Sequence, residues 1–145
     1  MKLALFADVH ANLEALRACL DHAREAGAEA HAFLGDLVGY GADPEAVLEI
    51  VEAHARAGAV VVRGNHDEAV FDATQAEGMN PAADAAIAWT RARLPARWRD
   101  FLAGLPLTVR QDSVLFVHGS AVAPEKYVYI TDPLRAGISL QASGG

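Results

Sequence analysis

The sequence has little cysteine and no long apolar run. Cys19 is the only cysteine among 145 residues, so an internal disulfide is excluded, and its position among leucines predicts a small buried side chain. No stretch approaches about 18 consecutive apolar residues, and Met1-Lys2 leads directly into an apolar strand rather than into a signal peptide. These features predict a soluble, unexported, cytoplasmic protein without a membrane-spanning segment.

Positive charge is also scarce. Lys2 and Lys126 are the only lysines, and the formal net charge is −7. A general nucleic-acid surface needs clustered lysines and arginines, so nucleic acid is not an expected partner. The one concentration of arginines is expected to be a solvated helix face; its members are Arg91, Arg93, Arg97 and Arg99. An acidic protein that handles a phosphate must obtain positive charge elsewhere, and bound metal ions are a source of it.

What is present is a globular composition, 52% hydrophobic and 21% charged, arranged as alternating strands and helices in a single domain. Apolar runs predict strands at residues 3–7, 30–34, 59–62 and 114–117, with residues 107–109 as the hairpin partner of the last. Helical periodicity predicts helices over residues 11–26 and 44–57, and further helices follow Pro81 and Pro95. Two strand–helix–strand units predict an α/β fold whose parallel strands end on one side.

Polar side chains follow four of these strands at the point where each strand ends. The clusters are Asp8-Val9-His10, Gly35-Asp36, Gly64-Asn65-His66-Asp67 and His118. Each residue by itself is explained equally well as a helix cap, a turn residue or a strand-end histidine. Four such clusters at the same end of four strands are better explained by one shared site.

The carboxylates, carboxamide and imidazoles of these clusters predict a site for two divalent metal ions. Asp36 is the expected bridge, because one carboxylate can join ions roughly 3.5–4 Å apart. Asp8 and His10 are expected to complete the protein ligands of one ion. Asn65 and His118 are expected to serve the other.

A site of this kind needs no side-chain nucleophile. Two divalent ions acidify a bridging water from a pKa of about 15.7 toward neutrality, and the resulting hydroxide is the nucleophile. His66 is then free to give a proton to the leaving oxygen, and Asp67 is expected to orient its ring. The sequence therefore predicts hydrolysis of a phosphate ester.

The same motifs resemble those of the calcineurin-like metallophosphoesterase superfamily. They are Asp8-Val9-His10, Gly35-Asp36-Leu37-Val38-Gly39, Gly64-Asn65-His66-Asp67 and Val117-His118-Gly119, and residues 8–16 and 35–44 are most similar to its small bacterial phosphodiesterases and phosphatases. The resemblance implies a sandwich of two mixed sheets flanked by helices, with a dinuclear site of Mn, Fe, Zn or Ni. It also implies that His66 is the acid and that the metal ligands are Asp8, His10, Asp36, Asn65 and His118. The implied substrate is a small phosphorylated molecule, a phosphodiester in preference to a monoester.

The sequence departs from the superfamily after His118. Members carry a Gly-His-x-His motif some tens of residues later, whose histidines complete the shells of both metals, and no histidine follows His118 here. We therefore expect a C-terminally truncated member, with residues 1–132 as the metallophosphoesterase domain and residues 133–145 as an irregular tail. A half-built sandwich would expose apolar sheet surface, which a second copy of the chain could cover. The alternative is a non-catalytic binding or scaffolding module with an incomplete metal site.

Overall fold

Three short parallel strands form the sheet on which the predicted site depends. The computed structural model describes residues 1–144. The strands are β1 (Leu3–Phe6), β2 (Ala30–Phe33) and β3 (Val60–Val61), paired in the order β1-β2-β3. Phe6 lies beside Phe33, and Phe33 lies beside Val61, so the strands end level with one another. The predicted parallel arrangement is confirmed, and the chain leaves all three strands at one edge.

Two helices connect these strands. Helix α1 (Leu13–Glu25) begins after Asn12, whose side-chain oxygen accepts a hydrogen bond from the N–H of Ala15 at 3.0 Å. Helix α2 (Pro44–Arg56) begins with its proline in the first turn, where a missing N–H costs nothing. Both helices begin and end close to their predicted bounds. Within residues 1–144, no helix has both the length and the apolar character needed to cross a bilayer.

The rest of the chain supplies further helices and a hairpin. Its elements are α3 (Asn65–Phe71), α4 (Pro81–Arg93), α5 (Ala96–Gly104), β4 (Thr108–Gln111), β5 (Val114–Val117) and α6 (Pro133–Ala142), with single 3-10 turns at Ala73–Ala76 and Pro124–Lys126. Strands β4 and β5 pair antiparallel, as the sequence predicts.

The core lies on both faces of the parallel sheet. Neighbouring residues of a strand point to opposite faces, and in β2 both Ala32 and Phe33 are fully buried. Phe33 belongs to a large cluster that includes Leu48 of α2 and Trp98 of α5. Ala32 belongs to a smaller cluster with Phe116 of β5. Helices therefore cover one face and the hairpin packs on the other, which gives the predicted α/β arrangement of two sheets with flanking helices.

The prediction of an irregular tail after residue 132 was wrong, because Pro133–Ala142 is helical. The side chain of Asp132 accepts a hydrogen bond from the N–H of Arg135 at 2.9 Å, and the proline occupies the first helical turn. Asn80-Pro81 begins α4 with the same combination of cap and proline. Asp132-Pro133 carries the same helix-start signal, but the glycines and serines near the end of the sequence favour an irregular segment. The domain boundary at residue 132 stays a prediction.

Two predictions for side chains outside the site were also wrong. Cys19 is exposed, because α1 turns Leu16 and Ala23 toward the core and Cys19 lies beside that stripe.

Arg91 does not lie on a solvated face. Its Nε donates to the carbonyl of Val70 at 3.1 Å and its guanidinium contacts the carbonyl of Ala69, so it satisfies acceptors at the C-terminal end of α3.

Arg63 follows β3 and packs against two helices. Its side chain is only 14% exposed. It donates to the carbonyl of Ala103 at 3.1 Å and lies 3.4 Å from a carboxylate oxygen of Glu68. Arg63 therefore joins the end of β3 to α3 and α5, and does not extend into the solvent.

Candidate metal centre

Asp36 lies at the centre of the predicted site. It follows β2, is only 4% exposed, and its Oδ1 accepts a hydrogen bond from the backbone N–H of His66 at 2.9 Å. Its Oδ2 lies 3.8 Å from Nε2 of His10 and 3.6 Å from Nε2 of His118. One carboxylate oxygen therefore faces two imidazoles that arrive from different strands, as the bridging role predicted for Asp36 requires.

The backbone fixes both imidazoles in one orientation. Nδ1 of His10 lies 3.1 Å from the carbonyl oxygen of Val38, and Nδ1 of His118 lies 2.7 Å from that of Leu34. A carbonyl oxygen only accepts, so each Nδ1 carries the hydrogen, and Nε2 is the ring nitrogen left to face Asp36 and to bind a cation. Metal-binding histidines are held in this way, with the second ring nitrogen donating to a carbonyl or carboxylate.

The predicted ligands form two groups that share Asp36. Ligand atoms of Asp8, Asp36 and His118 all lie within 4.8 Å of one another, and so do those of His10, Asp36 and His66. The grouping differs from the expected one, because Asp8 stands with His118 rather than with His10.

Asn65, the first residue of α3, lies with Asp8 and His118 in a cleft of about 250 Å³. The structure thus brings together every side chain predicted to bind metal: Asp8, His10, Asp36, Asn65 and His118.

His66 is buried beside this cluster. Its ring lies 4.8 Å from the ring of His10, and within residues 1–144 its Nδ1 has no hydrogen-bond partner. Burial, with further contributions from His10 and His118, lowers the pKa of His66 to about 4, so the ring is neutral at pH 7. A Cβ at Gly39 would lie 2.6 Å from this Nδ1, so only glycine permits the close packing.

Asp67 does not orient the ring of His66, and this prediction was wrong. Its Oδ1 accepts hydrogen bonds from the N–H groups of Leu37 at 2.8 Å and Val38 at 3.2 Å, and its Oδ2 accepts one from Gly64 at 2.9 Å. The side chain is fully buried, and burial followed by the charge of Asp36 raises its pKa to about 7. Asp67 therefore ties the loop after β2 to the start of α3, and it acts on the site through the backbone.

The donor set fits divalent cations. Burial raises the pKa of Asp36 to about 6, with Asp8 adding to the shift, against the opposing effects of His118 and of the hydrogen bond from His66. A cation would stabilise the ionised carboxylates that burial penalises. Oxygen and imidazole donors together suit Mn, Fe, Zn and Ni. The ions would be held by Asp36 together with the other predicted ligands, Asp8, His10, Asn65 and His118.

The backbone of the site is strained. Asp8, His10, Asp36 and Tyr40 have φ values of 54°, 48°, 51° and 61°, in the left-handed region that favours glycine. Such a residue costs about 1–2 kcal/mol relative to the ordinary conformation. Strained residues that persist in one place indicate a functional site, because the surrounding structure must compensate for them.

Two tyrosines at the site were not singled out as functional from the sequence. The ring of Tyr40 lies 5.0 Å from the rings of both His10 and His66. Tyr127 is buried, lies 5.9 Å from the ring of His118 and contacts a carboxylate oxygen of Glu68 through its hydroxyl. The flanking glycines Gly39 and Gly41 are the one sequence signal for Tyr40, since they place a large side chain in a glycine-rich turn.

Comparison with known proteins agrees with this geometry. The model of the calcineurin-like phosphoesterase family matches residues 1–137. The chain is 33% identical over 132 residues to the uncharacterized protein MJ0912 of Methanocaldococcus jannaschii, covering 88% of this chain and 53% of that protein.

Solved structures are similar over the same region. A metallophosphoesterase from Sphaerobacter thermophilus matches with a TM-score of 0.81 and 35% identity, over 98% of this chain and 56% of that one. The hypothetical protein PH1004 from Pyrococcus horikoshii OT3 matches with a TM-score of 0.74 and 25% identity, over 84% of this chain and 56% of that one. The chain spans about half the length of these relatives. With its family model, its fold and its ordered motifs in agreement, the chain belongs to the calcineurin-like phosphoesterase family.

Proposed function

We propose that this chain hydrolyses phosphate esters, phosphodiesters in preference to monoesters, with two divalent ions held around Asp36. The observation that carries the proposal is the position of Oδ2 of Asp36 between Nε2 of His10 and Nε2 of His118, each imidazole being held by a carbonyl at its other nitrogen. Asp8 and Asn65 add oxygen donors at the same cleft. Mn is the proposed metal, and Fe, Zn or Ni would suit the same donors.

When bound, two such ions act as Lewis acids and lower the pKa of water enough to make it a nucleophile at neutral pH. His66 is proposed to give a proton to the leaving oxygen of the ester. Its ring would donate a hydrogen bond to that oxygen, along which the proton is transferred as the ester bond breaks. The alternative for His66 is ligation together with His10 and Asp36, since its ring belongs to that group.

The proposed substrate is a small phosphorylated molecule. A formal net charge of −7 opposes a long polyanion such as nucleic acid, whereas a single phosphate can be neutralised locally by the ions. We also propose a cytoplasmic location, on the ground that one cysteine gives the fold no dependence on an oxidising compartment.

The test compares Mn-supplemented hydrolysis of an activated aryl phosphodiester by the wild type and two variants. Asp36→Asn should lower kcat by about a hundredfold or more, since a neutral amide binds cations poorly. His66→Ala should lower kcat by about 10²- to 10⁴-fold. His22→Gln, an exposed change on α1, is the control and should keep the wild-type rate. Equal rates in all four proteins would refute the proposed roles.

A second candidate function is that of a non-catalytic binding or scaffolding module. It is favoured by the ligand count, because each group in residues 1–144 offers three side chains from the residue types searched, and structural sites for metals such as zinc use four. Metal analysis after purification from Mn-supplied cells separates the two. Two equivalents per chain support the enzyme, and none supports the module.

A further inference from the structure

A second, larger cleft adjoins the metal centre on the side of His66. It has a volume of about 480 Å³, and its lining includes His66, Tyr40 and Tyr129. The smaller cleft contains Asp8 and His118 but not His66, and Asn65 and Tyr129 line both. The two clefts are therefore neighbouring parts of one depression, with Asp8 and His118 in the smaller part and His66 in the larger.

Tyr40 forms a fixed aromatic wall of the larger cleft. Its hydroxyl accepts a hydrogen bond from Nδ2 of Asn80 at 3.2 Å, and the Oδ1 of Asn80 in turn accepts one from the N–H of Ala83 at the start of α4. On its other side the ring lies against His10 and His66. These contacts hold the ring in one place at the mouth of the site.

Packing of the core does not explain why a tyrosine stands at this position. Tyr40 is 49% exposed, and its φ of 61° favours glycine, the residue found on either side of it. Glycine would adopt this backbone conformation at a lower cost in free energy, and a half-exposed position does not need a large side chain to fill the core. About half of the side chain is therefore free to contact a ligand in the larger cleft.

We infer that the larger cleft receives a planar aromatic leaving group of the phosphate ester, stacked on the ring of Tyr40. The inference rests on the proposed function and names its substrate class. The phosphate lies over the ligands of the smaller cleft, and His66 meets the leaving oxygen, so the rest of the leaving group extends past His66 into the larger cleft. In the reaction the oxygen of water bonds to phosphorus and loses a proton, the bond from phosphorus to the leaving oxygen breaks, and the leaving oxygen takes up a proton.

Two further side chains of the cleft suit such a group. Tyr129 is 73% exposed and lines the same cleft, so a second aromatic face is available to the ring. Lys126 is one of only two lysines in an acidic chain, and it also lines this cleft, where it can meet an electronegative substituent. A simple aryl group and a nucleobase share the planar aromatic ring that this arrangement selects.

The test measures binding of phosphonates, which carry a carbon–phosphorus bond and are not hydrolysed. Phenylphosphonate and methylphosphonate are titrated into the Mn-loaded chain by calorimetry, since the two differ only in the ring. We expect phenylphosphonate to bind about tenfold more tightly to the wild type, a factor typical of stacking on one aromatic side chain. Tyr40→Phe should keep this preference, because the ring remains. Tyr40→Gly should abolish it and should remain folded, because glycine suits the backbone there.

Each outcome decides the inference. An equal affinity for both phosphonates in the wild type, or a phenyl preference that persists in Tyr40→Gly with an unchanged melting curve, overturns it. Hydrolysis of an aryl phosphodiester by the wild type is measured in parallel. If hydrolysis occurs but the phenyl preference is missing, the inference alone fails, and if neither hydrolysis nor binding occurs, the proposed function fails with it. A nucleoside 5′-phosphonate that binds more tightly than phenylphosphonate identifies a nucleobase as the ring, and weaker binding identifies a simple aryl group.

Discussion

Asp36 and Asp67 are two buried carboxylates with different tasks. One oxygen of Asp36 accepts a hydrogen bond from the N–H of His66, and the other faces the imidazoles of His10 and His118. Both oxygens of Asp67 accept hydrogen bonds from backbone N–H groups, among them that of Gly64. Carboxylates are costly to bury unless hydrogen-bonded, and the fold satisfies one of them completely while leaving an oxygen of the other facing the site. That remaining oxygen is what a cation would bind.

Two neighbouring histidines outside the metal centre contribute to the pH dependence of stability. Nδ1 of His31 lies 3.1 Å from Nδ1 of His54, near the amino end of β2. Burial, followed by the proximity of His31, lowers the pKa of His54 below 6.5. At His54 the unfolded chain therefore binds a proton more readily than the folded chain as the pH falls, so its contribution to the free energy of unfolding decreases on acidification. The raised pKa values of Asp36 and Asp67 act in the opposite direction between about pH 7.5 and pH 5.5, so the contribution of His54 must be measured by difference.

The variant His54→Asn isolates this contribution. Asparagine places a hydrogen-bonding atom near the position of Nδ1 but does not gain a proton in this range. The change in its urea midpoint from about pH 7.5 to about pH 5.5 should therefore be less destabilising than the change in the wild type. His22→Asn, at an exposed position of α1, should show the wild-type change. If His54→Asn follows the wild-type change, the pair does not contribute to acid sensitivity.

The junction of β3 and α3 is held by a close approach at Gly64. A Cβ there would lie 2.2 Å from Oδ1 of Asp36, and the φ of −102° is one that any residue adopts, so only space requires glycine. Gly64→Ala must therefore displace Asp36 or the start of α3. We expect a loss of about 1–3 kcal/mol in the free energy of unfolding, measured with urea, and weaker Mn binding by calorimetry.

Gly104→Ala is the matched control for this substitution. Gly104 ends α5, and a Cβ there would meet no atom within 4 Å. Its free energy of unfolding should stay within about 0.5 kcal/mol of the wild type, and its Mn affinity should not change. Unaltered Mn binding in Gly64→Ala would mean that Asp36 does not depend on this junction.

The elements that carry the site were predictable because their signals are local. An apolar run followed at once by a polar cluster identifies a strand and its carboxyl end, and Pro44 and Pro81 mark helix starts. The same argument placed Asp8 and Asp36 at one edge, since the parallel strands β1 and β2 end together, whereas His118 follows β5 of the separate hairpin and reaches the site through the packing of the two sheets. Helix α6 was not predicted although Asp132-Pro133 carries the same start signal, because the glycines and serines that follow are typical of an irregular chain end.

The direction of each side chain past the strand end was not predictable. Asp8 groups with His118 because both enter the smaller cleft, and sequence order gives no indication of this pairing. Asp67 follows His66 directly, yet the first turn of a helix sends successive side chains in different directions. Its carboxylate consequently meets Leu37 and Val38, residues about thirty positions earlier in the chain. Contacts of this kind depend on tertiary packing.

Several large apolar side chains are exposed on the surface of the molecule, and two of them bear on association between chains. Leu5 of β1, the edge strand of the parallel sheet, is 59% exposed, and Leu134 of α6 is 74% exposed. An edge strand presents unpaired backbone N–H and carbonyl groups, and an apolar edge favours association. The net charge of −7 opposes close approach of two copies, so any association should strengthen as salt screens the charge.

We propose that a second copy of the chain covers the open edge of the parallel sheet. Light scattering should give a mass about twice the 15.3 kDa of one chain, with a larger dimer fraction at higher salt. Leu5→Lys should restore the monomer, because a charge on an edge strand opposes pairing. Leu134→Lys adds the same charge on α6 and should leave the dimer intact. A monomer at every concentration, or a dimer that only Leu134→Lys dissociates, would contradict pairing through the sheet edge, since in either case β1 would make no contact with a second chain.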